Sequence, residues 1–151
     1  MGLIRLQPKN FPSGSVLQVV SDTTALQDGT TNTTASSPDI SALSINITPT
    51  STSSKILLLM DIQGYADGNG NNLYCNIFRN GTNITGDGSN YNGVRHYVTT
   101  QMVTSSSMSF TDTPSTTSQV TYDVRFHVSG GNGYVSINNC QSQLTAMEIS
   151  G

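Results

Sequence analysis

The sequence predicts an all-β domain that folds as a sandwich or a barrel, and three observations support this. No stretch shows a convincing 3.6-residue hydrophobic period, which an amphipathic helix requires. Several segments instead alternate apolar and polar residues, as half-buried strands do. Turn-forming residues recur about every ten residues between these segments. Eight or nine short strands spaced in this way favour a sandwich or barrel over a βαβ fold.

Segments 55–63 and 118–129 are the clearest predicted strands. Segment 118–129 alternates strictly, which predicts a long strand with one buried face, whereas His127 falls on the polar face and is expected to be solvated or at an interface. Segment 55–63 begins with a continuous apolar run, which predicts a central strand covered on both faces. The residues expected to form the core are Ile56, Leu58, Val120, Tyr122, Val124 and Phe126.

The remaining predicted strands occupy the other β-rich segments, which are 14–20, 40–48, 72–78, 94–104, 107–111, 133–138 and 143–149. Among the turns between them, Asn80 followed by Gly81 is the sharpest signal. A two-residue hairpin favours this pair because both central residues need positive φ.

Two segments do not fit the strand pattern. Residues 1–13 form a short arm ahead of the domain at 14–151, and Leu3, Ile4 and Leu6 give it an apolar patch that also contains the charged Arg5. This arm either lies against the domain's own sheet as an edge strand or docks on another protein. Segment 23–37 is rich in Thr, Ser and Asn, and we expect a long surface loop there.

Composition excludes several classes of partner. Ser and Thr make up about a quarter of the chain, only 10% of residues are charged, and the net charge is -3 with six Lys and Arg. No basic stripe is available for phosphates, so neither nucleic acid nor a membrane surface is an expected partner. No membrane-spanning segment or signal peptide is predicted. Cys75 and Cys140 are expected to be buried or half-buried thiols rather than a bridge.

No constellation predicts catalysis, a metal or a cofactor. His96 and His127 are accompanied by no nucleophile elbow. Asp28, Asp39, Asp67 and Asp87 fall in predicted turns, where such side chains cap the backbone. Residues 67–72 resemble the start of a calcium loop, but Phe78 stands where a bidentate Glu is needed. Without a triad or a paired-carboxylate site, we expect a non-enzymatic protein.

The expected surface is polar, uncharged and interspersed with tyrosines. Such a surface suits packing against sister subunits or wet protein interfaces. Binding of carbohydrate through exposed Tyr, Asn and Asp is the rival use of these residue types. The candidate exposed binding loops contain Asp67, Asn69, Asn71, Asp87, Asn90 and Tyr91.

Three stretches resemble small virion proteins and fibre-tip domains of tailed bacteriophages, especially of marine bacteria and cyanobacteria. They are Gly14-Ser-Val-Leu-Gln-Val-Val20, Ile45-Asn-Ile-Thr-Pro-Thr-Ser-Thr-Ser-Ser-Lys-Ile-Leu-Leu58 and Leu144-Thr-Ala-Met-Glu-Ile149. The resemblance spans about residues 14–149 and marks a structural class better than a position on the particle.

This resemblance implies an antiparallel jelly-roll-like β-sandwich, similar to tumour-necrosis-factor-like proteins, that assembles as a homotrimer. The implied function is a capsid decoration (cement) protein, made in the host cytoplasm and bound to the major capsid protein on the outer head surface. In this hypothesis the arm at residues 3–6 docks on the capsid. The alternative is a tail- or head-fibre tip that binds a host surface receptor or glycan.

Overall fold

The computed structural model describes residues 11–24, 30–32, 40–68, 70–86, 93–98, 102–136 and 140–151. These residues form eleven strands and no helix. The strands are β1 (Val16–Thr24), β2 (Thr30–Asn32), β3 (Ile40–Ile47), β4 (Lys55–Ala66), β5 (Asn71–Arg79), β6 (Thr82–Asn83), β7 (Val94–Val98), β8 (Thr104–Asp112), β9 (Val120–Val128), β10 (Gly133–Val135) and β11 (Ser142–Ile149). No described segment forms a helix able to span a membrane.

Sheet A has six strands and is centred on β4. Its order is β1, β11, β4, β10, β2, and β8 also pairs with β4. β11 and β8 pair with the same stretch of β4, so they lie on its two sides. Within the described residues, β1 and β8 each have one paired neighbour, which makes them edge strands of this sheet.

Sheet B has five strands and packs against sheet A. β9 lies between β3 and β5, while β6 and β7 pair with opposite ends of β5. Every strand pair in both sheets is antiparallel. The predicted antiparallel β-sandwich is therefore confirmed.

The core fills the space between the two sheets. All six residues expected in the core are at most 1% exposed, and they lie on the inward faces of β4 and β9. Leu43, Ile47 and Ile77 from sheet B belong to the same cluster. Fully burying one such side chain stabilises the fold by about 1.5–3 kcal/mol.

The prediction that β4 is covered on both faces is wrong. Its inward residues are buried, but Leu57 is half-buried and Leu59 is 37% exposed on the other face. A continuous apolar run is consistent with cover on both sides, but here the outward Leu59 is exposed to solvent.

Two other predicted segments differ from the structure. Segment 94–104 is not one strand, because β7 ends at Val98 and β8 begins at Thr104. Segment 23–37 is not wholly a loop, since β1 extends through Thr24 and β2 pairs with β10. Polar Thr and Asn in short edge segments give too weak a β signal to detect from sequence.

The hairpin at Asn80 and Gly81 is confirmed. Arg79 of β5 pairs with Thr82 of β6, and the two residues between them have φ of 48° and 83°. Positive φ at both positions is the geometry that the favoured two-residue turn demands.

Neither cysteine is in a disulfide, as expected. Cys75 is buried in the core, and burial raises the pKa of its thiol to about 12. Cys140 is exposed, so the prediction that it is at least half-buried is wrong.

Candidate interaction surface

Sheet A turns one broad face away from sheet B, and four neighbouring strands build it. Because side chains alternate along a strand, every second residue of β1, β11, β4 and β8 points outward. One row across this face runs from Ser21 through Thr145 and Leu59 to Ser109. We call the outward side chains of residues 16–23, 55–61, 105–111 and 143–149 the A face.

The A face exposes apolar side chains. Val16 is 51% exposed, Val19 is 54% exposed and Leu59 is 37% exposed. These are three of the six large apolar side chains that are exposed in the described residues. Leu57, Met147 and Ile149, which are half-buried, lie on the same face. Clustered exposed apolar groups of this kind mark interaction sites more often than scattered ones do.

The A face is almost free of charge. Among its outward side chains, Lys55 and Asp61 are charged, and both are exposed. The outward side chains of β8 are exposed Ser and Thr, at every second position along the strand. The remaining carboxylates of the same four strands, Asp22, Asp112 and Glu148, fall at inward positions.

An open depression of about 460 Å³ lies on the A face between β8, β4 and β11. Leu59 and Asp61 line it from β4, and Ser107 and Ser109 line it from β8. The serine side chains are short, so the surface dips beside the longer side chains of β4. The depression can receive a side chain of a partner.

Glu148 shows how a carboxylate is accommodated on the inner side of sheet A. It is buried and accepts hydrogen bonds from Gln18 Nε2 at 2.6 Å, Ser54 Oγ at 2.6 Å, and both the backbone N–H and Oγ1 of Thr50 at 2.6 and 2.7 Å. Burial alone would raise the pKa of Glu148, but the hydrogen bonds from Ser54, Gln18 and Thr50 together lower it. The carboxylate therefore stays ionised and ties three segments together.

We call Glu148 and its hydrogen-bond donors Gln18, Thr50 and Ser54 the Glu148 cluster. It joins the three stretches that carry the phage resemblance. Gln18 belongs to the first stretch, Thr50 and Ser54 to the second, and Glu148 to the third. Sequence reasoning did not place them together, because hydrogen-bond partners so distant along the chain give no periodic signal. The recurrence of these polar residues inside the three stretches is the signal that could have found the cluster.

A second polar cluster bridges the two sheets. Arg79 of β5 donates to both carboxylate oxygens of Asp112 on β8, at 2.9 and 3.0 Å. The Tyr122 hydroxyl donates to the same carboxylate at 2.7 Å. Burial, together with the hydrogen bond to Asp112, raises the pKa of Tyr122 far above its usual value. Asp112 is thus satisfied inside the sandwich and is not available to a ligand.

The predicted binding loops are partly committed to internal bonds. The Asp67 carboxylate accepts from the backbone N–H of Asn132 and from its Nδ2, and Asn71 Nδ2 donates to the Asp67 backbone oxygen at 2.6 Å. These bonds brace the β4–β5 turn against the loop before β10. Asn69, Asp87, Asn90 and Tyr91 lie outside the described residues, as do Leu3, Ile4, Arg5 and Leu6 of the arm.

The outer side of sheet B, which we call the B face, consists of the outward side chains of β5, β7 and β9. His127 lies there but is fully buried, so the prediction of a solvated or interface position is wrong. Its ring stacks on Tyr74 at a centroid distance of 4.7 Å, and burial lowers the pKa of the imidazole. Alternation placed His127 on the correct face, but it gave no information about what covers that face.

Arginines lie over the aromatic rings of the B face. Arg125 lies 4.6 Å from the Phe78 ring centroid, and Arg95 lies 6.0 Å from the Tyr74 ring and 5.8 Å from the Tyr97 ring. Tyr97 is 59% exposed, at the rim of this face. The long guanidinium side chains thus cover apolar rings while their charges stay near water.

No metal-binding cluster of His, Cys, Asp or Glu occurs within the described segments. No family model matches the chain. No curated protein matches it either.

Solved structures match the whole chain. A structure of infectious bursal disease virus, Gx strain, has a TM-score of 0.60 and 15% identity, and the match covers 100% of this chain and 37% of the viral chain. The VP2 subviral particle of that virus gives 0.52 at 16% identity, with 37% of its chain covered, and the Gt strain gives 0.50 at 16%, with 38% covered. At these identities the likeness shows the fold alone, and it confirms the jelly-roll-like sandwich. The chain spans less than two-fifths of the viral chains it matches.

Proposed function

We propose that this chain is a virion structural protein without catalytic activity, a capsid decoration protein that binds the outer surface of a phage head as a homotrimer. The observation that carries the proposal is the fold, a jelly-roll-like sandwich similar over its whole length to structures determined from virus particles. The Glu148 cluster adds support, because it joins the three stretches that resemble small tailed-phage virion proteins.

The surface chemistry agrees with a role in assembly. The A face is broad, nearly uncharged and partly apolar, which is the character of a surface that other protein covers. Many copies that bind only the mature lattice stabilise it by mass action, by an amount that grows with concentration over Kd. No bond-making chemistry is required of the chain in this role.

The arm at residues 3–6 is the proposed capsid-docking element. It precedes β1, an edge strand of sheet A within the described residues, so the chain enters the sandwich at an open edge. Gly14 N–H donates to the Ser150 carbonyl at 2.8 Å and fixes this point of entry. An apolar arm at such a position can add a strand to an exposed edge of a capsid subunit.

Deletion of residues 2–7 tests the arm. We expect the truncated protein to keep its trimer and its circular dichroism spectrum but to stop co-sedimenting with capsids that lack the decoration protein. A control with Thr117 and Gln119 replaced by Ala, both exposed and outside the A face, should bind as the unmodified chain does. Retained binding by the truncated protein would remove the docking role from the arm.

Copy number on the particle tests the decoration role itself. Quantitative mass spectrometry of purified virions, measured against the major capsid protein, should give tens to hundreds of copies. A handful of copies would contradict decoration and favour the alternative, a fibre tip that binds a host receptor or glycan. Exposed Tyr97 beside Arg95 is the feature of the described residues that favours this alternative. Saturable binding of the purified protein to host cells, lost in Tyr97→Ala, would support it.

A further inference from the structure

The A face has the charge pattern of a surface that can pair with a copy of itself. Its two charges are opposite in sign and lie on one strand, with Lys55 at one end of β4 and Asp61 six residues further along. Six residues of extended chain span about 20 Å. The whole chain carries a net charge of -3, which repels another copy, whereas this face is neutral.

We infer that the A face packs against the A face of a second copy of this chain, with the two β4 strands antiparallel. A twofold axis then crosses β4 at the level of Leu58, midway between the two charges. Lys55 of each copy faces Asp61 of the other, so the contact contains two opposite-charge pairs. The inference does not depend on the virion role proposed above.

Charge selects this arrangement over the parallel one. If the two β4 strands ran parallel about a twofold axis along their length, Lys55 would face Lys55 and Asp61 would face Asp61. Like charges placed opposite each other are a strong element of specificity against that register. The antiparallel register alone satisfies both charges.

The shape of the A-face surface also fits the antiparallel register. Leu59 and Asp61, near the middle of β4, line the depression. In the antiparallel register, Leu57 and Lys55 of the second copy lie opposite it. The short Ser107 and Ser109 leave room there for the Leu57 side chain and the aliphatic stem of Lys55. The ammonium group at the end of that stem then reaches Asp61.

The size of the face predicts a weak contact. Four strands about 4.8 Å apart and about 25 Å long present about 500 Å² per copy, or about 1,000 Å² for the pair. This is the lower limit for a specific protein interface. Such a weak contact forms readily when another interaction already holds the two copies near one another, because the effective concentration of one A face around the other is then high.

A second copy fits this face better than a partner of another chemistry does. A strongly charged partner is matched by a face that carries several charges of one sign, and the A face has one of each. An apolar peptide could cover Val16 and Val19 but would leave Lys55 and Asp61 without partners. Self-pairing uses the apolar residues and both charges together.

Charge exchange tests the inference on the full chain. Sedimentation velocity from about 10 μM to 1 mM should show reversible association of the unmodified protein beyond its basal oligomer. Lys55→Asp and Asp61→Lys each place like charges opposite one another twice, and each should weaken association at least about tenfold. The double variant K55D/D61K restores opposite charges and should restore association.

A mixture of the two single variants gives the sharpest result. In a mixed pair, the K55D copy is acidic at both positions and the D61K copy is basic at both, so every facing pair is opposite in charge. The variants should therefore associate with each other but not with themselves. Rescue by mixing also shows that both single variants are folded. The double variant T117D/Q119D, at exposed positions outside both faces, makes the same change of net charge as K55D does on the A face, and it should leave association unchanged.

Three outcomes would overturn the inference. They are no concentration-dependent association beyond the basal oligomer, no recovery in the double variant K55D/D61K or in the mixture, and equal weakening by T117D/Q119D. A stable trimer that none of these variants alters would support the proposed trimer while overturning the A-face contact. A protein that pairs through the A face but forms no trimer would support the A-face contact and contradict the proposed trimer.

Discussion

The two outer faces of the sandwich are built from similar alternating strands, yet they differ in exposure. On the A face, Val19 and Leu59 are exposed and hydroxyl side chains fill half of the other positions. On the B face, Tyr74, Asn76, Phe78 and His127 are all at most 6% exposed. The strand pattern therefore fixes which side chains point outward, and the groups that pack over them decide which of them meet water.

The largest expected effect on stability comes from the B face. Tyr74→Ala removes a buried ring that stacks on His127, and we expect it to lower the free energy of unfolding by about 3–5 kcal/mol. Urea denaturation at pH 7.5 and fixed protein concentration measures this. A loss below about 1 kcal/mol would mean that the B face is open in solution, and the contrast between the faces would fail.

The next effect concerns the carboxylate that sheet A keeps inside. Glu148→Gln replaces an acceptor with a group that also donates, so the donors on Gln18, Thr50 and Ser54 cannot all be satisfied. We expect a loss of about 2–3 kcal/mol in the same denaturation experiment. Asp61→Asn, which changes a carboxylate of the exposed A face, is the matched control and should change stability by less than about 0.5 kcal/mol.

Acid should destabilise the protein in two separate steps. Burial lowers the pKa of His96 and His127 below 6.5, so their unfolded forms bind more protons and stability falls as the pH drops below about 6.5. The pKa of Glu148 is also lowered, so its contribution is present above pH 4.5 and is lost as the pH falls below that value.

His127→Phe separates the first step from the second. Phe keeps an aromatic ring against Tyr74 but does not titrate, so the fall in stability between pH 6.5 and 5.5 should become shallower. The decline below pH 4.5 should remain. Denaturant midpoints at pH 7.5, 6.5, 5.5 and 4.0 measure both steps, and an unchanged slope in the upper window would rule out His127 as its source.

The smallest expected effect belongs to the A face. Leu59→Ala removes a side chain that is 37% exposed, so we expect stability to change by less than about 1 kcal/mol. Urea denaturation beside Tyr74→Ala gives the direct comparison. A loss comparable to that of Tyr74→Ala would show that Leu59 is already covered in the purified protein, by another copy or by the chain itself.

Most of the fold could be predicted from the sequence because the strands carry strong local signals. The alternation from Val120 to Val128 correctly identified a strand and its buried face. The Asn80–Gly81 turn was equally local, since two positive φ values restrict the residue choice. Local patterns of this kind need no knowledge of the rest of the chain.

The candidate site was harder to predict because it depends on neighbours distant in sequence. The apolar run in β4 indicated cover on both sides, but the second side is the A face, where Leu59 is exposed. His127 shows the opposite error, since a polar residue at an outward position is buried under its neighbours. In both cases the pattern along one strand contained no information about what lies over it.

The Glu148 cluster also constrains how the chain can fold during synthesis. Gln18 and Glu148 are 130 positions apart, and β11 lies between β1 and β4 in sheet A. The strands of sheet B all leave the ribosome before β11 does. Until β11 is synthesised, β1 lacks the one strand with which it pairs in the described residues. During that time its unpaired edge is exposed to other nascent chains on the same messenger RNA. Synthesis of β11, rather than packing of the earlier strands, is therefore the step that closes this sandwich.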